Sequence, residues 1–98
     1  MASNYKIYWT DEAINNLESI LSYLSNIWTQ REIENFKIKL SKQLNLIQQN
    51  PFLYPVSTYN PRLRKAVLSK QIIVFYEVSQ ERIYLIYLFN TKKDSHNL

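Results

Sequence analysis

Residues 72–89 read Ile-Ile-Val-Phe-Tyr-Glu-Val-Ser-Gln-Glu-Arg-Ile-Tyr-Leu-Ile-Tyr-Leu-Phe, and this stretch decides the fold. Two apolar runs, Ile72–Val78 and Ile83–Phe89, flank four polar residues, which is the pattern of two strands joined by a hairpin loop. The first run is almost continuous, as expected for a central strand covered on both faces. Upstream, Leu63–Ser69 reads as a third strand, with Arg62, Arg64, Ala66 and Leu68 on one face. We therefore predict a three-stranded meander.

The segment before the meander predicts a strand and two helices. Tyr5–Trp9 alternates as a short strand does, and Thr10 then offers a hydroxyl N-cap to a helix whose apolar stripe runs to Trp28. Thr29-Gln-Arg-Glu32 has the form of a capping box, so a second helix begins almost where the first ends. That helix ends at Asn50-Pro51, because the residue before proline is pushed out of the helical region.

The expected fold is α+β in the order β-α-α-β-β-β. The N-terminal strand and the helical hairpin should pack on a small, mainly antiparallel sheet, because each helix carries one apolar stripe that must be covered. Residues 1–98 have the length of one domain, with residues 90–98 as a basic tail.

Composition excludes several classes of function. The chain has no cysteine, one histidine (His96) and no glycine, which excludes thiolate chemistry, multi-histidine metal sites and glycine-rich phosphate loops. We therefore expect no cofactor and no metal. No long apolar run or signal peptide is present, so we expect a cytoplasmic protein without membrane contact.

The basic residues cluster late in the chain and mark a candidate binding surface. The net charge of +4 arises entirely from residues 51–98. Arg62, Arg64 and Lys65 open the first meander strand, where guanidinium groups either bind phosphate or keep an edge strand soluble. Lys92 and Lys93 follow the last strand. If that strand neighbours the strand of Arg64, the two basic groups converge on one patch; otherwise they are only solubility charges.

Two further features each leave two roles open. Ile38, Lys42 and Leu46 lie off the core stripe of the second helix, either as ordinary exposed residues or as a small patch for binding a partner. Tyr54 and Tyr59 lie in the proline-containing loop before the basic strand, where they either stack on a base or pack the loop onto the domain.

Taken together, the segments resemble the RelE/ParE superfamily of bacterial type II toxin–antitoxin modules, which includes the plasmid stabilisation proteins. The resemblance covers nearly the whole chain. Five segments carry it by their order and spacing: Trp9–Ala13, Asn50-Pro51, Leu63–Val67, Ile73–Val78, and Phe89–Asp94, which is similar to the family's closing motif Phe-His-Gly-Arg-Arg-Asp.

The resemblance implies a toxin, a partner and a target. The partner is a cognate antitoxin whose acidic or amphipathic segment wraps the toxin. The target is DNA gyrase for ParE-like members and ribosome-bound mRNA, which is cut in the A site, for RelE-like members. Assembly as a homodimer or as a hetero-oligomer with the antitoxin is left open.

The same resemblance separates the two targets at two positions. Arg64 matches the first strand arginine of the family, but the second arginine of many ribonucleases is replaced by Ile73 and their histidine by Asn90. The chain is therefore nearer to ParE than to RelE.

The leading hypothesis is a toxin that binds gyrase or the translation machinery, with Ile38, Lys42 and Leu46 as the partner patch. The alternatives are a metal-independent, ribosome-dependent endoribonuclease with Arg64, Lys65 or Lys92 as catalytic groups, and a degenerate toxin retained as a binding module. The expected target-binding residues are Arg62, Arg64, Lys65, Lys92 and Lys93.

Overall fold

The computed structural model describes residues 5–91, and this part of the chain contains the predicted elements in the predicted order. The α+β prediction is therefore confirmed. Residues 92–98 of the expected basic tail lie outside the described residues. The elements are β1 (Lys6–Trp9), α1 (Asp11–Leu24), α2 (Gln30–Gln49), β2 (Arg64–Val67), β3 (Ile72–Ser79) and β4 (Arg82–Asn90).

Helix α1 ends at Leu24, although its apolar stripe predicted a helix as far as Trp28. The cause lies in the polar residues between them. The Ser25 hydroxyl donates to the carbonyl of Ser22 at 2.8 Å, and the Asn26 side-chain amide donates to the same carbonyl at 3.3 Å. Serine and asparagine side chains compete in this way with the backbone bonds of a helix, and the chain turns toward α2.

Both helices begin at the predicted threonines. The Thr10 hydroxyl oxygen accepts from the Ala13 N–H at 3.1 Å and donates to the Leu85 carbonyl at 2.7 Å, so the cap of α1 also ties that helix to β4. At α2 the capping box is complete. The Thr29 hydroxyl accepts from the Glu32 N–H at 3.2 Å, and the Glu32 carboxylate accepts from the Thr29 N–H at 3.0 Å.

The sheet has the strand order β1-β4-β3-β2, with β1 parallel to β4 and the other two pairs antiparallel. The predicted meander and the mainly antiparallel sheet are thus confirmed. One irregularity interrupts the pairing of β3 with β4. Phe75 pairs with Tyr87 whereas Tyr76 pairs with Leu85, so Ile86 is the extra residue of a β-bulge.

Both helices cover the same face of the sheet. Their buried residues, which include Ala13, Ile20, Phe36 and Leu40, form one core cluster with alternate residues of β3 and β4. The strand residues of this cluster are Ala66 of β2 and Ile72, Val74, Tyr76, Ile83, Leu85 and Leu88 of β3 and β4. None of the helices in residues 5–91 is long and apolar enough to cross a membrane.

Within residues 5–91 the helices cover only one face of β3, so for this part of the chain the prediction that β3 is covered on both faces is wrong. The side of the sheet away from the helices is called the outer face below, and it carries the exposed Lys65 and Val67 of β2. The apolar residues of β3 on this face are shielded by their cross-strand neighbours instead of a second layer. Phe75, for example, stacks on Tyr87 with 4.6 Å between ring centroids.

Candidate functional site

Arg64 begins β2, and its side chain is held by the loop that precedes the strand. This loop, residues 51–61, is called the proline loop below. The Arg64 Nη1 donates to the carbonyl of Tyr54 at 2.7 Å, and its Cζ lies 5.0 Å from the ring centroid of Phe52. A hydrogen bond and a cation–π contact thus fix a half-buried guanidinium in one place.

The buried Tyr76 of β3 anchors the same loop to the core. Its hydroxyl donates to the Pro51 carbonyl at 2.7 Å, and its ring meets that of Tyr54 edge to face at 6.5 Å. Burial raises the pKa of Tyr76 to about 12, and the positive charge of Arg64 opposes this rise only in part. The Tyr76 phenol therefore stays protonated near neutral pH, where it is a structural donor and not a base.

Arg62 and Arg64 line one cleft, whereas Lys65 lies elsewhere. The cleft has a volume of about 270 Å³, and its wall also contains Phe52 and the carboxylate-bearing Glu77. Because side chains alternate along a strand, Arg64 shares the helix-covered side of the sheet with Ala66, and Lys65 lies on the outer face. The three predicted basic residues thus divide between two surfaces. Arg62 itself precedes β2, and its N–H donates to the Asn60 side chain at 3.0 Å.

The condition for joining Lys92 and Lys93 to this cleft is not met. Both lysines lie outside the described residues, but the strand that leads to them is separated from β2 by β3. Arg64 is aligned through Tyr76 with the middle of β4, whereas the end of β4 pairs with the opposite end of β3. The predicted convergence of Lys92 and Lys93 with Arg64 required β4 to lie next to β2. In this fold β3 lies between these two strands.

Ile73 and Asn90, the two positions that separate the chain from ribonuclease members, lie away from the cleft. Ile73 pairs with Val67 and Phe89 on the outer face. Asn90 is buried at the end of β4, where it pairs with Ile72. Neither side chain titrates near neutral pH, so neither can serve as an acid or a base.

The predicted partner patch lies on the solvent side of α2. Ile38 and Leu46 are each about half exposed, and Lys42 between them is exposed too. Ile38 and Lys42 form part of the wall of a groove of about 520 Å³ that also contains Trp28 and Phe36. Leu46 is not part of that wall and continues the same stripe two turns beyond Ile38. The structure thus places the three residues on one helix face.

The proline loop holds exposed side chains, of which sequence reasoning singled out Tyr59 but missed Phe52, Leu53 and Val56. Phe52, Leu53 and Val56 are exposed, and Tyr59 retains 96% of its accessible surface. Tyr54 and Tyr59 therefore have different surroundings: the first packs against the core, while the second projects into solvent. The sequence did contain a signal for these exposed side chains. The apolar residues between the prolines follow neither a strand nor a helix period, so they cannot all face one core.

The architecture is shared with solved chains from toxin–antitoxin systems. A chain of the chromosomal ParDE system of P. aeruginosa superposes with a TM-score of 0.75 at 15% identity, over 88% of this chain and 95% of that chain. YafQ from E. coli superposes with a TM-score of 0.65 at 10% identity, over 91% and 96%. A chain of the E. coli DinJ–YafQ toxin–antitoxin complex gives 0.65 at 10% identity, over 92% and 96%.

The particular family follows from the sequence itself. The family described as ParE toxin of type II toxin–antitoxin system, parDE, matches residues 7–94. The chain belongs to this family, and the predicted resemblance to the RelE/ParE superfamily on the ParE side is confirmed. No curated protein matches the sequence.

Proposed function

We propose that this ParE-family toxin inhibits DNA gyrase by binding it in the cytoplasm, and that a cognate antitoxin neutralises it. One observation carries the choice of a binding inhibitor over a nuclease. The fixed Arg64 guanidinium has beside it a tyrosine whose pKa is raised to about 12, and the position of the family's histidine is a buried asparagine.

The chemistry of RNA cleavage makes this observation relevant. Cleavage without a metal needs a base for the 2′-hydroxyl, an acid for the leaving oxygen and a cation for the charged phosphorane. Arg64 supplies a cation only, because a guanidinium does not deprotonate in proteins. Lys65, the second expected catalytic group, lies on the outer face of the sheet and not in the cleft of Arg64. Lys92, the third, lies outside the described residues.

The helical hairpin supports the antitoxin part of the proposal. Ile38, Lys42 and Leu46 present an apolar stripe interrupted by one positive charge. Such a surface fits an amphipathic segment with an acidic residue at the matching position. The net charge of +4 would speed encounter with an acidic partner.

Purified protein separates the target classes directly. The wild-type chain is added to a gyrase supercoiling reaction and, in parallel, to ribosomes translating a defined mRNA. Inhibited supercoiling with intact mRNA is expected. Arg64→Ala should weaken the inhibition by about tenfold, a typical loss for an interfacial arginine. The control Arg31→Ala removes an exposed arginine on α2 and should change nothing. Cut mRNA with unaffected supercoiling would refute the proposal and favour the endoribonuclease.

A further inference from the structure

The proline loop displays apolar side chains on the surface that the toxin fold does not need for its own core. Phe52 and Leu53 are 56% and 54% exposed, and Tyr59 is 96% exposed. Single exposed apolar residues are ordinary in proteins, but here several occur within one short loop. Aromatic residues of this kind are enriched among the residues that dominate binding energy at protein interfaces.

The loop is also tied down along its length. The Ser57 N–H donates to the Leu63 carbonyl at 2.7 Å, and the Lys65 N–H donates to the Pro55 carbonyl at 2.9 Å, so the loop runs beside β2. Tyr76 fixes its beginning through the Pro51 carbonyl. A loop held in this way loses little conformational entropy when a partner binds, which favours affinity.

The charges around the loop indicate the character of the partner. Arg62 and Arg64 line the cleft beside Phe52, where Glu77 is the one acidic residue among the lining residues in the described part of the chain. Cations beside exposed apolar groups are complementary to a surface on which carboxylates surround an apolar pocket.

We propose that the toxin binds its protein target through the proline loop, with Arg62 and Arg64 at its border. The target should present an acidic rim around an apolar pocket. This inference rests on the proposed function and adds the contact residues. Nucleic acid fits the surface less well. The exposed Leu53 and Val56 offer apolar surface but no ring on which a base could stack.

The test uses the double variant Leu53→Ser/Tyr59→Ala and the control Ile27→Ser. Ile27 has the same 54% exposure as Leu53 but lies in the turn between the helices. Circular dichroism should show that all three chains are folded. We expect the double variant to bind immobilised gyrase at least about tenfold more weakly than wild type, and the control to bind as wild type does. Equal binding by all three chains would overturn the docking proposal and leave the proposed function standing.

A second assay distinguishes a wrong choice of target protein from a wrong choice of docking surface. The same three chains are induced in a bacterial host, and growth is followed. Arrest by the wild type and the control but not by the double variant supports the surface even if gyrase is not bound. Arrest by all three overturns it. If the wild type causes no arrest, both the proposed function and the proposed docking surface are refuted. Binding of the chain through this loop to a single-stranded oligonucleotide in preference to gyrase would overturn the choice of a protein partner.

Discussion

Removing one hydroxyl, in Tyr76→Phe, tests whether the proline loop is anchored from the core. The Tyr76 side chain is fully buried, and its hydroxyl donates to the Pro51 carbonyl at 2.7 Å. Phenylalanine keeps the ring and its edge-to-face contact with Tyr54 but leaves a buried carbonyl without this donor. The net value of a hydrogen bond is about 1 kcal/mol, and an unsatisfied buried group costs about 1–3 kcal/mol. We expect the free energy of unfolding to fall by about 2 kcal/mol.

Urea denaturation followed by circular dichroism measures this change. For a chain of this size, a loss of 1 kcal/mol lowers Tm by about 4–8 °C, so the effect is large enough to see in a thermal scan as well. Tyr59→Phe removes the same hydroxyl from a side chain that is 96% exposed, and it should change the free energy of unfolding by less than about 0.5 kcal/mol. Equal, small changes in both variants would show that Tyr76 does not hold the loop and would refute the reasoning.

Three further predictions follow from individual contacts. The free energy of unfolding of the wild type should fall as pH rises from about 10 toward 12, because the folded state keeps the Tyr76 proton that the unfolded state releases. Tyr76→Phe should lose this part of the pH dependence. Identical slopes of the free energy of unfolding against pH in the two chains, measured by urea titration, would contradict the prediction. Thr29→Ala should cost about 1 kcal/mol by breaking the capping box with Glu32, and a Tm equal to that of the control Thr58→Ala would contradict the role of the box. Leu46→Glu should weaken binding of the cognate antitoxin in isothermal titration calorimetry, whereas Ile14→Glu on α1 should not; unchanged affinity in both would remove Leu46 from the partner patch.

The fold could be predicted in detail because its local signals agree. The two threonine caps and the pair of apolar runs in β3 and β4 all indicate the same elements, and, except between α2 and β2, short connections leave few ways to arrange them. The order of the strands was harder to foresee. That β4 lies between β1 and β3 depends on the parallel pairing of Lys6–Trp9 with β4, which no local pattern specifies.

The candidate site was predicted less well than the fold. Arg62 and Arg64 could be singled out because basic residues near the start of a strand are visible in the sequence, and the two side chains do line one cleft. The cleft excludes Lys65, because the alternation of the strand turns it to the other face. The contacts by which the loop holds Arg64 were beyond sequence reasoning, since they join Phe52 and Tyr54 to a strand through tertiary packing alone.

Growth of a bacterial host tests the central claim most directly. The chain is induced alone, with the gene that adjoins its own, and as Arg64→Ala and Arg64→Lys. A toxin that acts through the Arg64 cleft predicts arrest by the wild type, relief by the neighbouring gene, and weak arrest by both variants, because lysine keeps the charge but not the planar guanidinium. Full arrest by Arg64→Ala would move the active surface away from the cleft. Normal growth with a folded, soluble wild-type chain would contradict the claim that this protein is an active toxin.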